Sequence, residues 1–140
     1  MLENRSIPRA TVMPVLSYPD VNEAAAWLCA AFGFRVRLRI GDHRIQLHAG
    51  DGAVILGELR QEEFNQPLGL GHGVLVRVED VDAHCERARS HGAEITKEPT
   101  THSYGERQYN AVDFAGHRWT FSQSVADVAP ETWGGESVEL

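Results

Sequence analysis

Basic charge, long apolar runs and cysteine are all scarce in this sequence, and each shortage excludes a class of protein. Lys and Arg total 13 against 20 Asp and Glu, a net charge of −7, whereas a nucleic-acid-binding protein presents a basic face. The longest apolar stretch, AAAWLCAAF, is far shorter than the roughly 20 residues that span a bilayer. Neither nucleic acid nor a membrane is therefore expected as a partner.

The two cysteines and the N-terminus point to a location. Cys29 and Cys85 form no CxxC pair, and each falls within a predicted helix, so both are interpreted as buried thiols and not as a disulfide or a nucleophile. The N-terminal MLENRSIPRATVM has no apolar signal core. The sequence thus predicts a cytoplasmic protein.

An internal repeat is the strongest feature that the sequence does contain. PVLSYPDVNEAAAWLCAAFGFRV is matched about 60 residues later by GVLVRVEDVDAHCERARSHGAEI. Each copy begins with alternating apolar residues, which predict a strand with two different faces. Asp20 and Asp80 then cap a helix in each copy, and Gly33 and Gly92 suit the left-handed residue that ends it. Each copy is therefore a strand followed by a helix.

Three further strand-like runs follow each predicted helix. They read FRVRLRI, RIQLHA and AVILGEL in the first half, and AEITKEPT, RQYNAVD and HRWTFSQ in the second. We predict one α+β domain over residues 1–140, with modules at about 10–60 and 72–123, a linker at 61–71 and a tail at 124–140. The helix of each module covers one face of its sheet, and the opposite, curved face is expected to form a cavity with the other half.

Two βαβββ units, the helix DVNEAAAWLCAAFGF and the stretch VDFAGHRWTF resemble the vicinal oxygen chelate superfamily. That superfamily includes glyoxalase I, extradiol dioxygenases, fosfomycin-resistance enzymes and bleomycin-resistance proteins. The resemblance covers residues 10–123, and the tail SVADVAPETWGG is similar to the ending of a metal-poor, bleomycin-resistance-like branch. It implies curved mixed sheets that form a cavity, a small organic ligand and a homodimer.

The resemblance also carries over four metal-ligand positions, one from each of four cavity-facing strands. The superfamily's metal enzymes place His, Gln or Glu there, and this chain has Met13, Leu56, Gly73 and Thr120. These side chains do not form a site for a hard or borderline divalent ion. The resemblance therefore implies no metal and no other cofactor. Glu58, two residues beyond Leu56, is the best remaining polar candidate on the cavity face.

Several other residues are candidates for the cavity. HSYGERQY resembles the loop whose aromatic residue stacks on the drug in bleomycin-resistance proteins, which gives that role to Tyr104 with Arg107 or Tyr109 nearby. A plain turn with a surface tyrosine is the alternative. Leu75 and Arg77 have the cavity parity of the fifth strand, and the Arg77 guanidinium would pair with Glu58 or with an anionic ligand. Trp133 in the tail would cover the cavity mouth or reach a second subunit.

Three functions are compatible with these residues. The leading one is metal-independent binding of a small molecule, which would give resistance by sequestering an antibiotic in a pocket lined by Met13, Leu56, Leu75, Tyr104, Arg107 and Thr120. The net negative charge favours a cationic ligand. The alternative is a glyoxalase-type lyase, isomerase or dioxygenase with Glu58 as general base, using a metal held elsewhere or Arg77 as charge stabiliser. The third is an assembly role without a dedicated ligand.

Overall fold

The structure, a computed structural model, describes residues 2–60 and 71–140 and contains the two predicted βαβββ modules. The first consists of β1 Val15–Tyr18, α1 Val21–Phe32, β2 Arg35–Ile40, β3 Arg44–Ala49 and β4 Gly52–Glu58. The second consists of β5 Val74–Arg77, α2 Val81–Ser90, β6 Glu94–Thr101, β7 Glu106–Val112 and β8 Arg118–Ser124, followed by a short 3-10 turn at Pro130–Thr132. Apart from Gly71, the predicted linker lies outside the described residues. No helix in the described part of the chain is long and apolar enough to span a membrane.

The predicted helix caps are confirmed. The Asp20 carboxylate accepts a hydrogen bond from the backbone N–H of Glu23 at 3.1 Å, and Asp80 caps α2 in the same way. Gly33 follows α1 with φ of 79°, and Gly92 follows α2 with φ of 87°. Both values lie in the left-handed region that glycine adopts without a steric penalty. The repeat therefore specifies where both helices begin and end.

Each module forms its own four-stranded mixed sheet. The strand orders are β1-β4-β3-β2 and β5-β8-β7-β6, and the two sheets do not close into a barrel. The first strand of each module runs parallel to the last one, and the remaining neighbours are antiparallel. The predicted fold of two βαβββ modules with mixed sheets is confirmed.

The helices of both modules contribute to one hydrophobic core. The Phe32 ring at the end of α1 packs on two residues of β8, with ring centroids 5.3 Å from Trp119 and 4.8 Å from Phe121. Two side chains also connect the helices: the Trp27 indole N–H donates to the His91 carbonyl at 2.8 Å, and Arg87 donates to a carbonyl of α1. The two modules are thus joined through the faces that their helices cover.

Buried polar contacts cross the same boundary. The Tyr18 hydroxyl donates to the Asp113 carboxylate at 2.6 Å. The His84 ring lies between the Phe32 carbonyl, 2.9 Å from Nε2, and the Tyr109 hydroxyl, 2.6 Å from Nδ1. Because a carbonyl can only accept, Nε2 carries the proton and Nδ1 accepts from the tyrosine. These contacts fix the orientation of one module against the other.

This packing corrects one expectation. Since the helix-covered faces of both sheets meet a shared core, their opposite faces lie outside that core, and within residues 2–60 and 71–140 the two sheets do not close around a cavity. We call them the first and second open faces. The first open face carries Val15, Ser17, Gln46, Ile55 and Gly57. The second carries Leu75, Arg77, Gln108, Asn110, Thr120 and Ser122.

Candidate functional site

The second open face presents a row of hydrogen-bonded neutral side chains. Thr120 on β8 lies opposite Asn110 on β7, and its hydroxyl donates to the Asn110 side-chain oxygen at 2.9 Å. One step along the same pair of strands, the Gln108 amide donates to the Ser122 hydroxyl at 3.0 Å. Strand pairing thus lines up amides and hydroxyls that can exchange their mutual hydrogen bonds for bonds to a polar ligand.

An anionic group ends this row. The Glu106 carboxylate accepts a hydrogen bond from the Ser122 hydroxyl at 2.6 Å. That bond, a second one from Ser124 and the charge of Arg77 hold the pKa of Glu106 below its usual range. Glu106 is therefore a stable negative charge at neutral pH and a poor general base. It lines an open cleft of about 560 Å³ together with Tyr104 and tail residues 124–128.

An aromatic cluster stands beside Glu106 at the edge of this face. The Tyr104 hydroxyl donates to Gln108 at 3.1 Å, which fixes the ring against the polar row. The ring stacks on His102 with centroids 4.9 Å apart and planes 4° from parallel, and it contacts Trp133 at 5.4 Å. One face of Tyr104 is therefore covered, whereas Trp133 is 41% exposed. The accessible aromatic surface belongs largely to the tail.

The tail reaches Tyr104 because the preceding loop holds it. The Gly105 carbonyl accepts hydrogen bonds from the backbone N–H groups of Val125 at 2.8 Å and Ala126 at 3.2 Å. Gly105 has φ of 84°, and a Cβ there would collide with the Ala126 carbonyl. The sequence prediction did not assign Trp133 to this cluster, and an unpatterned tail gives no periodicity from which the contact could be inferred.

The structure brings four of the predicted ligand residues to the second open face. Leu75 lies opposite Thr120 on the neighbouring strand and is 65% exposed. Arg77 lies opposite Ser122, and its charge acts on Glu106. With Tyr104 at the edge, these residues form one surface that combines an exposed leucine, a guanidinium, a hydroxyl and an aromatic ring.

Two predicted ligand residues lie elsewhere. Leu56 pairs with Leu16 and is 0% exposed within the core, so it does not line a cavity. Arg107 donates two hydrogen bonds to the Asp82 carboxylate on α2, at 2.9 and 3.0 Å, because it has the opposite strand parity from Gln108. Neither Leu56 nor Arg107 therefore lies on the surface that carries the other four residues.

Met13 and Glu58 lie on the first module. Glu58 is exposed at the end of β4 and lines an open cleft of about 600 Å³ with Ser17 and Arg44. Met13 lines a cavity of about 460 Å³ together with the N-terminal residues. Glu58 and Arg77 therefore belong to different sheets, and the carboxyl group whose pKa the Arg77 charge lowers is that of Glu106.

The four residues that the sequence predicts at the superfamily's metal positions do not offer the donor groups of a metal site. Leu56 is in the core, Gly73 has no side chain, and the Thr120 hydroxyl is bonded to an amide. Met13 offers only a soft thioether. Within residues 2–60 and 71–140, no three His, Cys, Asp or Glu side chains come together as a possible metal site. We derive no catalytic step through a metal.

Comparisons with known proteins agree with the fold. TioX from Micromonospora sp. ML1 shares 32% identity, covering 86% of this chain and 100% of its own, with a TM-score of 0.68. A glyoxalase/bleomycin resistance protein from Streptomyces sp. CB03234 shares 22% identity over 79% of this chain and 97% of its own, with a TM-score of 0.64. Lactoylglutathione lyase from Agrobacterium tumefaciens shares 18% identity over 91% and 98%, with a TM-score of 0.63. No curated protein matches the chain.

The sequence profile of the glyoxalase/bleomycin resistance protein/dioxygenase superfamily matches residues 10–121. That range contains every helix and strand of both modules except the last three residues of β8. The chain belongs to this superfamily.

Proposed function

We propose that the protein binds a small organic molecule without a metal and protects against it by sequestration, as an antibiotic-binding protein of the bleomycin-resistance type would. One observation carries this proposal: the hydroxyl of Thr120, the residue that the resemblance puts at a metal-ligand position, is bonded to the neutral Asn110 amide. This arrangement suits recognition by hydrogen bonds and offers no electrophilic centre.

The ligand class follows from the groups around this pair. The aromatic surface of Trp133 and Tyr104 favours a flat ring, and each aromatic contact contributes on the order of 0.5–1.5 kcal/mol. The ionised Glu106 beside them favours a positive charge, as does the net charge of −7. Leu75 adds an exposed apolar contact. A planar, cationic compound with amide or hydroxyl groups fits this combination.

A homodimer is part of the proposal. The second open face is uncovered in a single chain, and a ligand there would keep one side in water. A second copy laid over this face would enclose the ligand and provide the burial that small-molecule sites usually have. Sedimentation equilibrium should therefore give twice the chain mass of 15.5 kDa. A cytoplasmic location is also proposed, supported by Cys29 and Cys85, which are both free thiols.

The experiment is a paired measurement of binding and metal content on untagged protein. Titration calorimetry with a bleomycin-type glycopeptide should give saturable binding that is unchanged by EDTA. Tyr104→Leu should weaken it about tenfold, which corresponds to about 1.4 kcal/mol. Near one tightly held nickel, zinc, iron or manganese ion per chain, together with metal-dependent turnover of a hemithioacetal or a catechol, would contradict the proposal and favour the enzyme.

A further inference from the structure

The N-terminal residues lie on the first open face and are held there by two side chains of the sheet. The Arg37 guanidinium donates to the carbonyls of Arg5 and Ile7, both at 3.1 Å. The Gln46 amide donates to the carbonyl between them, that of Ser6, at 2.9 Å. Three consecutive main-chain carbonyls thus converge on one pair of side chains. We call residues 4–8 the strap.

The strap is a turn and not a strand. The Ile7 N–H donates to the Asn4 carbonyl at 3.3 Å, and the Asn4 side chain accepts from the Ser6 N–H at 3.0 Å. These two hydrogen bonds close the turn, and its carbonyls at Arg5, Ser6 and Ile7 accept from Arg37 and Gln46. The first open face therefore receives a compact set of amide carbonyls, and it adds no strand to the sheet.

The side chains of Arg37 and Gln46 are held in place by contacts that do not involve the strap. Arg37 donates to the Gln46 side-chain oxygen at 2.6 Å, so that the Gln46 amide nitrogen points to the strap. Ile45 and Leu47, on either side of Gln46, are fully buried in the core, which anchors β3. Gln46 itself is only 3% exposed. Two donor groups oriented in advance lose little entropy when they bind an acceptor.

A β-bulge separates Arg37 from Arg39. The pairing of β2 with β3 shifts between Val36 and Leu38, so Arg37 is an extra residue on its strand. Without the shift, strict alternation would place Arg35, Arg37 and Arg39 on one side. Instead Arg37 stays on the first open face beside Gln46, whereas Arg39 turns to the other side of the sheet and donates to Asn22 of α1. The bulge thus leaves Arg37 as the arginine that faces the strap.

The strap is attached weakly enough to be exchanged. Residues 2–13 contain no helix or strand, and Leu2 and Val12 on either side of the strap are 93% and 80% exposed. Pro8 is buried, and Ile55 of the first open face is 6% exposed although it stands outside the main core. No carboxylate of the described residues forms an ion pair with Arg37, so neutral acceptors alone satisfy its charge. Segments with few contacts open at low free energy.

We propose that Arg37 and Gln46 form a binding site for ligands that present converging amide carbonyls, such as a peptide turn or a cyclic peptide. The strap is the resident occupant of this site, and a ligand must displace it. The site lies on the sheet opposite to the one that carries Thr120. The proposal of this site is therefore tested independently of the proposed metal-free binding at the second open face.

The test uses the full-length chain and a labelled probe peptide, LENRSIPRA, with both ends capped. Ile7→Gly with Pro8→Gly loosens the strap and leaves Arg37 and Gln46 intact. Fluorescence anisotropy should show at least tenfold tighter probe binding to this double variant than to the wild type. Adding Arg37→Met should abolish the gain. Adding Arg39→Met, which changes a neighbouring arginine on the other side of the sheet, should leave it.

Equal binding of the probe to the wild type and the loosened variant would overturn the proposal, as would equal losses from Arg37→Met and Arg39→Met.

A second measurement needs no variant. An excess of unlabelled probe should accelerate hydrogen exchange at the Ser6 and Ile7 amides of the wild-type chain at least fivefold, since displacement breaks the turn. Unchanged exchange with saturating probe would refute displacement, and strap protection that rises with protein concentration would assign the strap to a second copy instead.

Discussion

Replacing Asp113 should separate the contribution of the polar bridge between the modules from that of the apolar core. Its carboxylate accepts four hydrogen bonds. One oxygen takes the Tyr18 hydroxyl at 2.6 Å and the Trp119 indole N–H at 3.1 Å. The other takes the backbone N–H groups of Ala115 and His117, both at 3.0 Å. Asp113 is 4% exposed, and Tyr18 and Trp119 are 0% and 1% exposed.

The magnitude follows from the donors that would lose their acceptor. Asp113→Ala leaves two fully buried side-chain donors unsatisfied, at about 1–3 kcal/mol each, and loosens the turn that the backbone bonds close. We expect a loss of about 3–5 kcal/mol in the free energy of unfolding. Asp113→Asn keeps the shape but places an NH₂ group against one pair of donors, and should cost about 2 kcal/mol. Tyr18→Phe removes one donor together with its hydrogen bond and should cost about 1 kcal/mol.

Urea unfolding followed by tryptophan fluorescence, with m compared among variants, gives these values. The control is Asp51→Asn in the exposed turn between β3 and β4, which should change stability by no more than about 0.5 kcal/mol. A loss below about 1 kcal/mol for Asp113→Ala would refute the reasoning, because it would mean that the donors find other acceptors or water. The Tyr18→Phe/Asp113→Asn double variant should lose less than the sum of the single losses, because the two groups interact directly.

Three further predictions concern pH, ligand contact and the tail. Burial lowers the pKa of His84, and the charge of a nearby arginine lowers it further. On acidification the unfolded chain therefore takes up the proton first, so the stability should be full above about pH 6.5 and fall below it by up to about 1.4 kcal/mol per pH unit. Urea titrations at several pH values should show that His84→Gln flattens this slope. Arg107→Gln should leave ligand affinity within about twofold of the wild type, whereas Tyr104→Leu weakens it about tenfold; equal losses in calorimetry would place Arg107 in the site after all. Gly105→Ala, at a φ of 84°, should push the tail away and shift the Trp133 fluorescence to longer wavelength, and an unchanged spectrum would contradict the tail attachment.

The fold was predictable because the same pattern of strand, capped helix and terminating glycine occurs twice in the sequence. Asp20 and Asp80 each precede an apolar helix stripe, and Gly33 and Gly92 each end one, so the same order of signals occurs in both copies at nearly the same spacing. These signals are local: a cap depends on three or four consecutive residues. The topology then followed from the similarity of the two modules to a known superfamily.

The register of β4 could not be predicted in the same way. Alternation identifies a strand's two faces only when one of them is exposed. In AVILG, every residue is buried. Val54 and Leu56 face the core, and Ile55 is 6% exposed although it lies on the first open face. The sequence therefore carries no parity signal there. Leu56 was placed by the superfamily resemblance, and strand parity offered no check on that placement.

Only part of the candidate site could be predicted, because some of its residues lie on strands with clear alternation and others lie outside any periodic element. Leu75 and Thr120 lie on strands with clear alternation, and the structure places them side by side. The sequence predicted no role for Glu106, although Glu106 begins β7 and ends the polar row. Trp133 and the strap lie outside any periodic element, and their positions depend on individual hydrogen bonds that no local pattern encodes.

The shared core has a consequence for how this chain can change. Phe32 belongs to the first repeat by sequence, yet its ring rests on Trp119 and Phe121 of the second. Neither repeat could be lost, replaced or transplanted without uncovering the aromatic surface of the other. The two modules therefore depend on each other for the cover of their apolar surface. The outward-facing sheets carry no such shared packing, and their chemistry differs: one carries a neutral polar row and the other a fixed pair of donors.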